Sequence, residues 1–137
     1  MGQLNKLQKG GHLNHSINGG IVFMERSIKA ADDFIVAAIQ HGECTETGDS
    51  KLGNKQYKKI MKSAQEIKAS GKGNEIFSEL MEHPDISVKL WSASFAYQDN
   101  PVEAEQVLKS IIGIKRSLVS FTAEITLNEL KSGSLTL

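Results

Sequence analysis

The stretch HPDISVKLWSASFAYQDNPVEAEQVLKSIIG, residues 83–113, decides the fold. It holds two helix starts in succession. Pro84 disfavours helical backbone at His83, and Asp85 is placed to accept the free N–H groups of the helix that follows. Asn100-Pro101-Val102-Glu103 repeats the signal as a cap, a first-turn proline and a glutamate three residues after the cap. Between the two starts, Val88, Trp91, Ser92 and Phe95 share one face, while small Ala93, Ser94 and Ala96 allow close approach of a neighbour. After the second start, Ala104, Val107, Leu108, Ile111 and Ile112 form an i, i+3, i+4, i+7, i+8 stripe that stops at Gly113. Two amphipathic helices joined by a tight turn must pack antiparallel.

The same grammar extends upstream. Ala31, Phe34, Ile35, Ala38 and Ile39 define a stripe on a helix expected to begin at Glu25 and to stop at Gly42, with a polar loop over residues 43–50. A second helix is expected from Lys51 or Leu52 to Ser70, with Tyr57, Ile60, Met61, Ala64 and Ile67 facing the core. Gly71 and Gly73 then break the chain, and Asn74 is placed to cap a third helix carrying Ile76, Phe77, Leu80 and Met81. Downstream, a last helix is expected from Lys115 to Lys131 with Leu118, Phe121, Ile125 and Leu130 facing in. Ser132-Gly133 ends it, and Leu135 and Leu137 are placed to dock back on the core. Two prolines and few β-branched clusters favour helix over sheet throughout. The reading is all-α: about six helices in antiparallel pairs, stacked as a HEAT- or armadillo-like α–α superhelix, with no exact internal repeat.

Residues 1–23 differ from the rest. Rich in Gly, Asn and Gln and without a sustained apolar period, they read as a disordered tail, leaving 24–137 as a single helical domain. Gly19-Gly20 shortly before Met24 is also what an in-frame, purine-rich ribosome-binding site would encode, so Met24 is the expected natural start.

Composition bounds the function. No apolar run approaches the roughly 20 residues of a membrane span, and the first residues lack the layout of a secretion signal. The single cysteine, Cys44, excludes an internal disulfide and fits a reducing cytoplasm. A formal net charge of zero argues against a general nucleic-acid binder. The charge is nevertheless segregated. Residues 51–72 hold seven lysines against the single acid Glu66, and residues 73–105 hold seven acids against the single base Lys89. Wet helix faces explain most such runs, yet two faces of opposite sign also suit recognition of a partner.

No constellation of catalytic or ligating residues emerges. His12 and His15 lie in the glycine-rich tail. His41 and Cys44 form one His-x-x-Cys pair where a structural zinc site needs four ligands. Gly71-Lys72-Gly73-Asn74 precedes a helix but lacks the spacing and the strand of a nucleotide loop, so it reads as a turn. Glu79 with Glu82, and Glu103 with Glu105, read as solvated pairs on wet helix faces, whereas acid catalysis needs a carboxyl set in a cleft. The expectation is a protein that is not an enzyme and needs no metal or cofactor. Trp91 phases with Val88 and Phe95 and reads as a core anchor, beside an Asp85…Lys89 pair at i, i+4. The suggestive surface residues are Lys51, Lys55, Lys58, Lys59 and Lys62 on the second helix, and Glu75, Glu79, Glu82 and Asp85 after it. Nucleic-acid contacts usually add arginine or stacking aromatics, and Tyr57, the one aromatic among these lysines, is expected on the core side. A protein partner is the leading reading, with a nucleic-acid-binding helical repeat as the alternative.

The run from His83 to Ser94 resembles the HPDxxVRLWAA signature of an uncharacterised bacterial family of small HEAT-like proteins, with Pro84, Asp85, Val88 and Trp91 in the signature positions. Gly48-Asp49…Gly53-Asn54-Lys55 resembles that family's loop before its second helix. Pro101…Ala104-Glu105…Val107-Leu108 and Phe121…Ala123-Glu124…Thr126-Leu127 resemble its later helices, so the likeness covers residues 28–137. Lys89 replaces the usual arginine and Ser92 an alanine, and neither disturbs a helix. The resemblance implies a helical-repeat fold and no catalytic residues. Some members of such families look like immunity proteins encoded beside secreted toxins, which adds an immunity role to the protein-binding expectation.

Overall fold

The structure, a computed structural model, describes the backbone of residues 15–137 and side chains from residue 25 onward. The first part of the expected tail, residues 1–14, lies outside the described residues. Six helices follow one another: α1 (His15–Thr47), α2 (Ser50–Ala69), α3 (Gly73–Leu80), α4 (Ile86–Ala96), α5 (Pro101–Ile112) and α6 (Leu118–Ser132). Among the described residues there is no strand. Consecutive helices pack side by side, and α4 also touches α1 and α6. This packing is compatible with a helical superhelix, as the sequence implies.

The helix ends follow local chemistry. Asp85 caps α4 by accepting from the backbone N–H groups of Ser87 at 2.8 Å and Val88 at 3.0 Å. His83 Nδ1 accepts from Asp85 N at 3.0 Å, which locks the turn after Pro84. Asp49 caps α2 through Leu52 N at 3.1 Å. Ser117 caps α6, and Gly133 closes it in the left-handed conformation at φ 82°.

α1 differs from its expected form. It begins at His15 rather than Glu25 and runs through Gly42 to Thr47. The stop is Gly48, at φ 79°, where the N–H groups of Gly48 and Asp49 both close on the Cys44 carbonyl. Gly42 serves packing instead. A Cβ there would lie 1.8 Å from Ser87 Oγ and 2.8 Å from Ser87 Cβ, so glycine lets α1 cross the start of α4 in near contact.

Two expected caps are also reassigned. Asn74 lies inside α3, whose cap position is Lys72 and carries no side-chain cap bond. Asn100 likewise makes no cap bond to α5. Its amide donates instead to Asn74 Oδ1 at 2.6 Å, and more weakly to Ser78 Oγ at 3.4 Å, tying α3 to α5. A tertiary bond between side chains has displaced two local ones. The expected Asp85…Lys89 ion pair is absent among the described residues, because Asp85 is spent on capping and Lys89 Nζ reaches the Met81 carbonyl at 3.4 Å.

α4 is the central rod. Ser87, Val88, Leu90 and the whole run from Ser92 to Ala96 are buried. The hydroxyls of Ser92 and Ser94 cost little there, since they donate to the carbonyls of Val88 at 2.6 Å and Leu90 at 2.7 Å on the same helix. Phe95 stacks on Phe77 with centroids 5.3 Å apart, and Phe34 meets both edge-on. These rings fasten α1, α3 and α4 into one core. Leu135 and Leu137 pack back against it as expected, and Lys68 Nζ donates to the Leu137 carbonyl at 2.8 Å.

Candidate functional site

Two surfaces stand out, and each corrects an expectation. On α6 the side chains of Leu118, Phe121 and Ile125 are 52%, 61% and 44% exposed. Of the four residues expected to face in, only Leu130 is buried. α6 carries two apolar stripes on opposite sides, and only one can face the core. Val119, Ala123, Leu127 and Leu130 form the inner one. Ala123 at its middle lets α6 lie close on its neighbours, where Phe121 would hold it off. The outer stripe, continued by exposed Ile114, is left in water.

The turn that presents this stripe is built from a strained residue and a remote cap. Arg116 adopts φ 62°, the left-handed region that side chains avoid. Ser117 then donates its hydroxyl to Glu46 Oε2 at 2.8 Å, and Leu118 N donates to Glu46 Oε1 at 3.0 Å. The last turn of α1 thus caps α6 from a distance. The Leu118 N–H first and the Ser117 hydroxyl second stabilise the carboxylate and hold the Glu46 carboxyl below its ordinary range.

The second surface is the wet side of the α1–α2 pair. Lys51, Lys55, Lys58, Lys59 and Lys62 are all exposed along α2. Lys59 and Lys62 form one wall of a groove of about 790 Å³ lined by α1 and α2 residues and by Ser70 just after them. Arg26, Lys29 and Asp33 line the α1 wall. Lys29 pairs with Asp33 at 2.9 Å, which raises the Lys29 pKa through that hydrogen bond and charge. Gln56 lies in the groove floor, 4% exposed, and its Oε1 has no hydrogen-bond partner. Sequence periodicity passed over Gln56, whose spacing of three and four residues from Gly53 and Ile60 gains meaning only because the fold buries both.

Tyr57, expected in the core, is 43% exposed. α2's buried side is a narrow band through Gly53, Gln56, Ile60 and Ser63, and Tyr57 sits at its edge. Its ring leans on Trp91 with centroids 5.8 Å apart. Trp91 is half-buried, meets His41 edge-on at 5.3 Å, and keeps its Nε1 buried without a partner. Burial lowers the His41 pKa. Cys44 is buried on the same helix, beside Gly53 of α2. Burial first, then the Asp49 and Glu43 charges, push its thiol pKa up, the opposite of what a nucleophile needs. No group of three His, Cys, Asp or Glu gathers among the described residues as a metal would require.

Glu75, Glu79 and Glu82 are set on and just after α3 and are all exposed, whereas Asp85 is half-buried and committed to the α4 cap. Pro84 is exposed in its turn, and Val88 is fully buried. Of the Gly71–Asn74 segment, Gly71 and Lys72 form the turn, with Gly71 at φ 79°, whereas Gly73 and Asn74 already belong to α3.

A family model described as a domain of unknown function, DUF2019, matches residues 29–131. The chain belongs to the DUF2019 family. No curated protein and no solved structure matches it. The matched span of this DUF2019 domain takes in all of α2 to α5, the outer stripe of α6 and most of the groove. No helix among the described residues is long and apolar enough to cross a membrane.

Proposed function

We propose that this DUF2019 domain is a non-enzymatic protein-binding module. The observation that carries the reading is the outer stripe of α6. Three large apolar side chains at helical spacing, presented by a turn that holds Arg116 in a costly conformation, form a patch of the kind that marks protein interfaces. Charged faces on α2 and α3 add steering and selectivity rather than bulk affinity. The specific form we propose is an immunity protein, acting in the cytoplasm of a bacterium on a toxin encoded beside it. That form rests on the family resemblance and on the charge segregation. Glu75, Glu79 and Glu82 are the expected contacts if the toxin has a basic active site.

Co-expression with the product of the adjacent gene tests this. A stable complex and rescue of growth are expected, and a Phe121→Ser, Ile125→Ser variant loses both while folding normally. Failure of complex and rescue with the unaltered chain overturns the immunity form. A nucleic-acid-binding repeat is the second reading, favoured by exposure of Tyr57 near the lysines. Its ring rests on Trp91 rather than standing free to stack on a base. A salt-dependent mobility shift with plain RNA or DNA, removed by Lys55→Glu and Lys58→Glu, would replace the first reading with the second.

A further inference from the structure

We infer that the α1–α2 groove is a second docking site, and that its occupant is an acidic amphipathic helix supplied by the protein partner. The inference rests on the protein-binding reading and adds a location and a chemistry to it. Three observations converge. The first is shape. The groove lies between two long helices; its floor is small and buried, with Ala30, Ala37 and Ser63 each 2% exposed, and its rim carries exposed Val36 and the charged side chains. From Arg26 to Gln40 it runs about 21 Å at 1.5 Å per residue, the length of about four helical turns.

The second is charge. Among the described residues, the ion pairs occupy Lys29 but leave Arg26, Lys59 and Lys62 without a carboxylate partner. Asp33 is taken by Lys29, so Glu66 is the one remaining acid on the lining. The rim therefore favours negative side chains flanking the docked helix. The chain's own residues 1–14 carry Lys6 and Lys9 and no acid, so their charge is wrong for the role.

The third is Gln56. Its Oε1 is shut away from water with no donor, which costs free energy until one arrives. The amide torsion of glutamine is soft, so a modest rotation turns that oxygen toward the groove. An asparagine or serine at the centre of the docked helix supplies the missing donor. A purely apolar helix would leave it orphaned.

The probe is a fluorescein-labelled, side-chain-stapled helix of about 16 residues. It has a narrow alanine stripe, flanking glutamates and a central asparagine. Its twin carries lysine for every glutamate. Anisotropy titration against the full chain at low salt reads the binding. The acidic helix binds and the basic twin does not. Lys59→Glu with Lys62→Glu weakens binding at least tenfold. Gln56→Leu weakens it several-fold while the protein melts at the same temperature or higher, a pattern a merely structural glutamine would not give. Equal binding of the twins, no binding of the acidic helix, or indifference to the lysine changes overturns the inference. The Phe121→Ser, Ile125→Ser variant binds the acidic helix normally, so loss of the groove leaves the α6 reading standing and loss of the stripe leaves the groove standing.

Discussion

Replacing Gly42 with alanine should destabilise the protein, against the usual rule for a glycine inside a helix. In an open helix the change adds about 1 kcal/mol of stability, because glycine is the poorest helix former after proline. Here the new methyl would lie 1.8 Å from Ser87 Oγ and 2.8 Å from Ser87 Cβ. Rotating the Ser87 hydroxyl relieves the first contact but not the second, so α1 must move off α4 or the serine must shift with its backbone. Overpacking of this kind costs about 1–3 kcal/mol net, and more where backbone must move. We expect a loss of about 2 kcal/mol, or roughly 8 °C in melting temperature for a chain of this size. Thermal melting and urea unfolding by circular dichroism read it. The control is Ser87→Gly, which removes both atoms that the methyl meets. In the double variant most of the loss returns. A glycine that merely ended α1 would also resent alanine, but Ser87→Gly could not rescue it. A rise in melting temperature for Gly42→Ala, or no rescue by Ser87→Gly, refutes the close approach of α1 to α4.

Three further outcomes follow from the packing. Glu46→Ala removes the remote cap of α6 and should cost about 1 kcal/mol by urea unfolding, with faster hydrogen exchange at Leu118 N. The Glu46 carboxyl lies below its ordinary 4.5 in the fold, so its contribution is complete above that pH and is lost as pH falls through the folded value. The Glu46→Ala variant lacks that acid-side component of the pH–stability curve. His41 lies below its ordinary 6.5, so its neutral form is the one the fold prefers. Stability tied to it is complete above pH 6.5 and is lost on acidification through the lower folded value, and fluorescence of the single tryptophan, Trp91, should change over the same range. His41→Gln abolishes that change if the reasoning holds. Phe34→Ala, at the meeting of three rings, should cost about 3–5 kcal/mol by the same unfolding assay.

Much of the architecture was legible because it rests on local signals. Asp85 and Pro101 declare helix starts through backbone chemistry that needs no neighbour, and on α5 the stripe through Ala104, Leu108 and Ile111 competes only with the lone exposed Val102. The failures share a cause. Gly42 reads as a stop because the contact that favours glycine comes from Ser87, far along the chain on another helix. Asn74 and Asn100 read as caps because each could cap, and only the tertiary fold lets them bond each other instead. α6 has apolar residues on both sides, and periodicity alone does not choose between Phe121 and Ala123 for the core. The protein-binding proposal starts from the same ambiguity, because the stripe not chosen for the core, Leu118, Phe121 and Ile125, is the one left exposed. The charge of the lysine face was plain in sequence, whereas Gln56 became visible only once its burial and missing donor were known.

The most direct test of the protein-binding account is hydrogen–deuterium exchange on the chain alone and with the co-expressed product of the adjacent gene. The account predicts slowed exchange in α6 around Leu118 to Ile125, absent for the Phe121→Ser, Ile125→Ser variant. Unchanged exchange along α6 with that protein, together with protection of α2 by plain RNA, would contradict it.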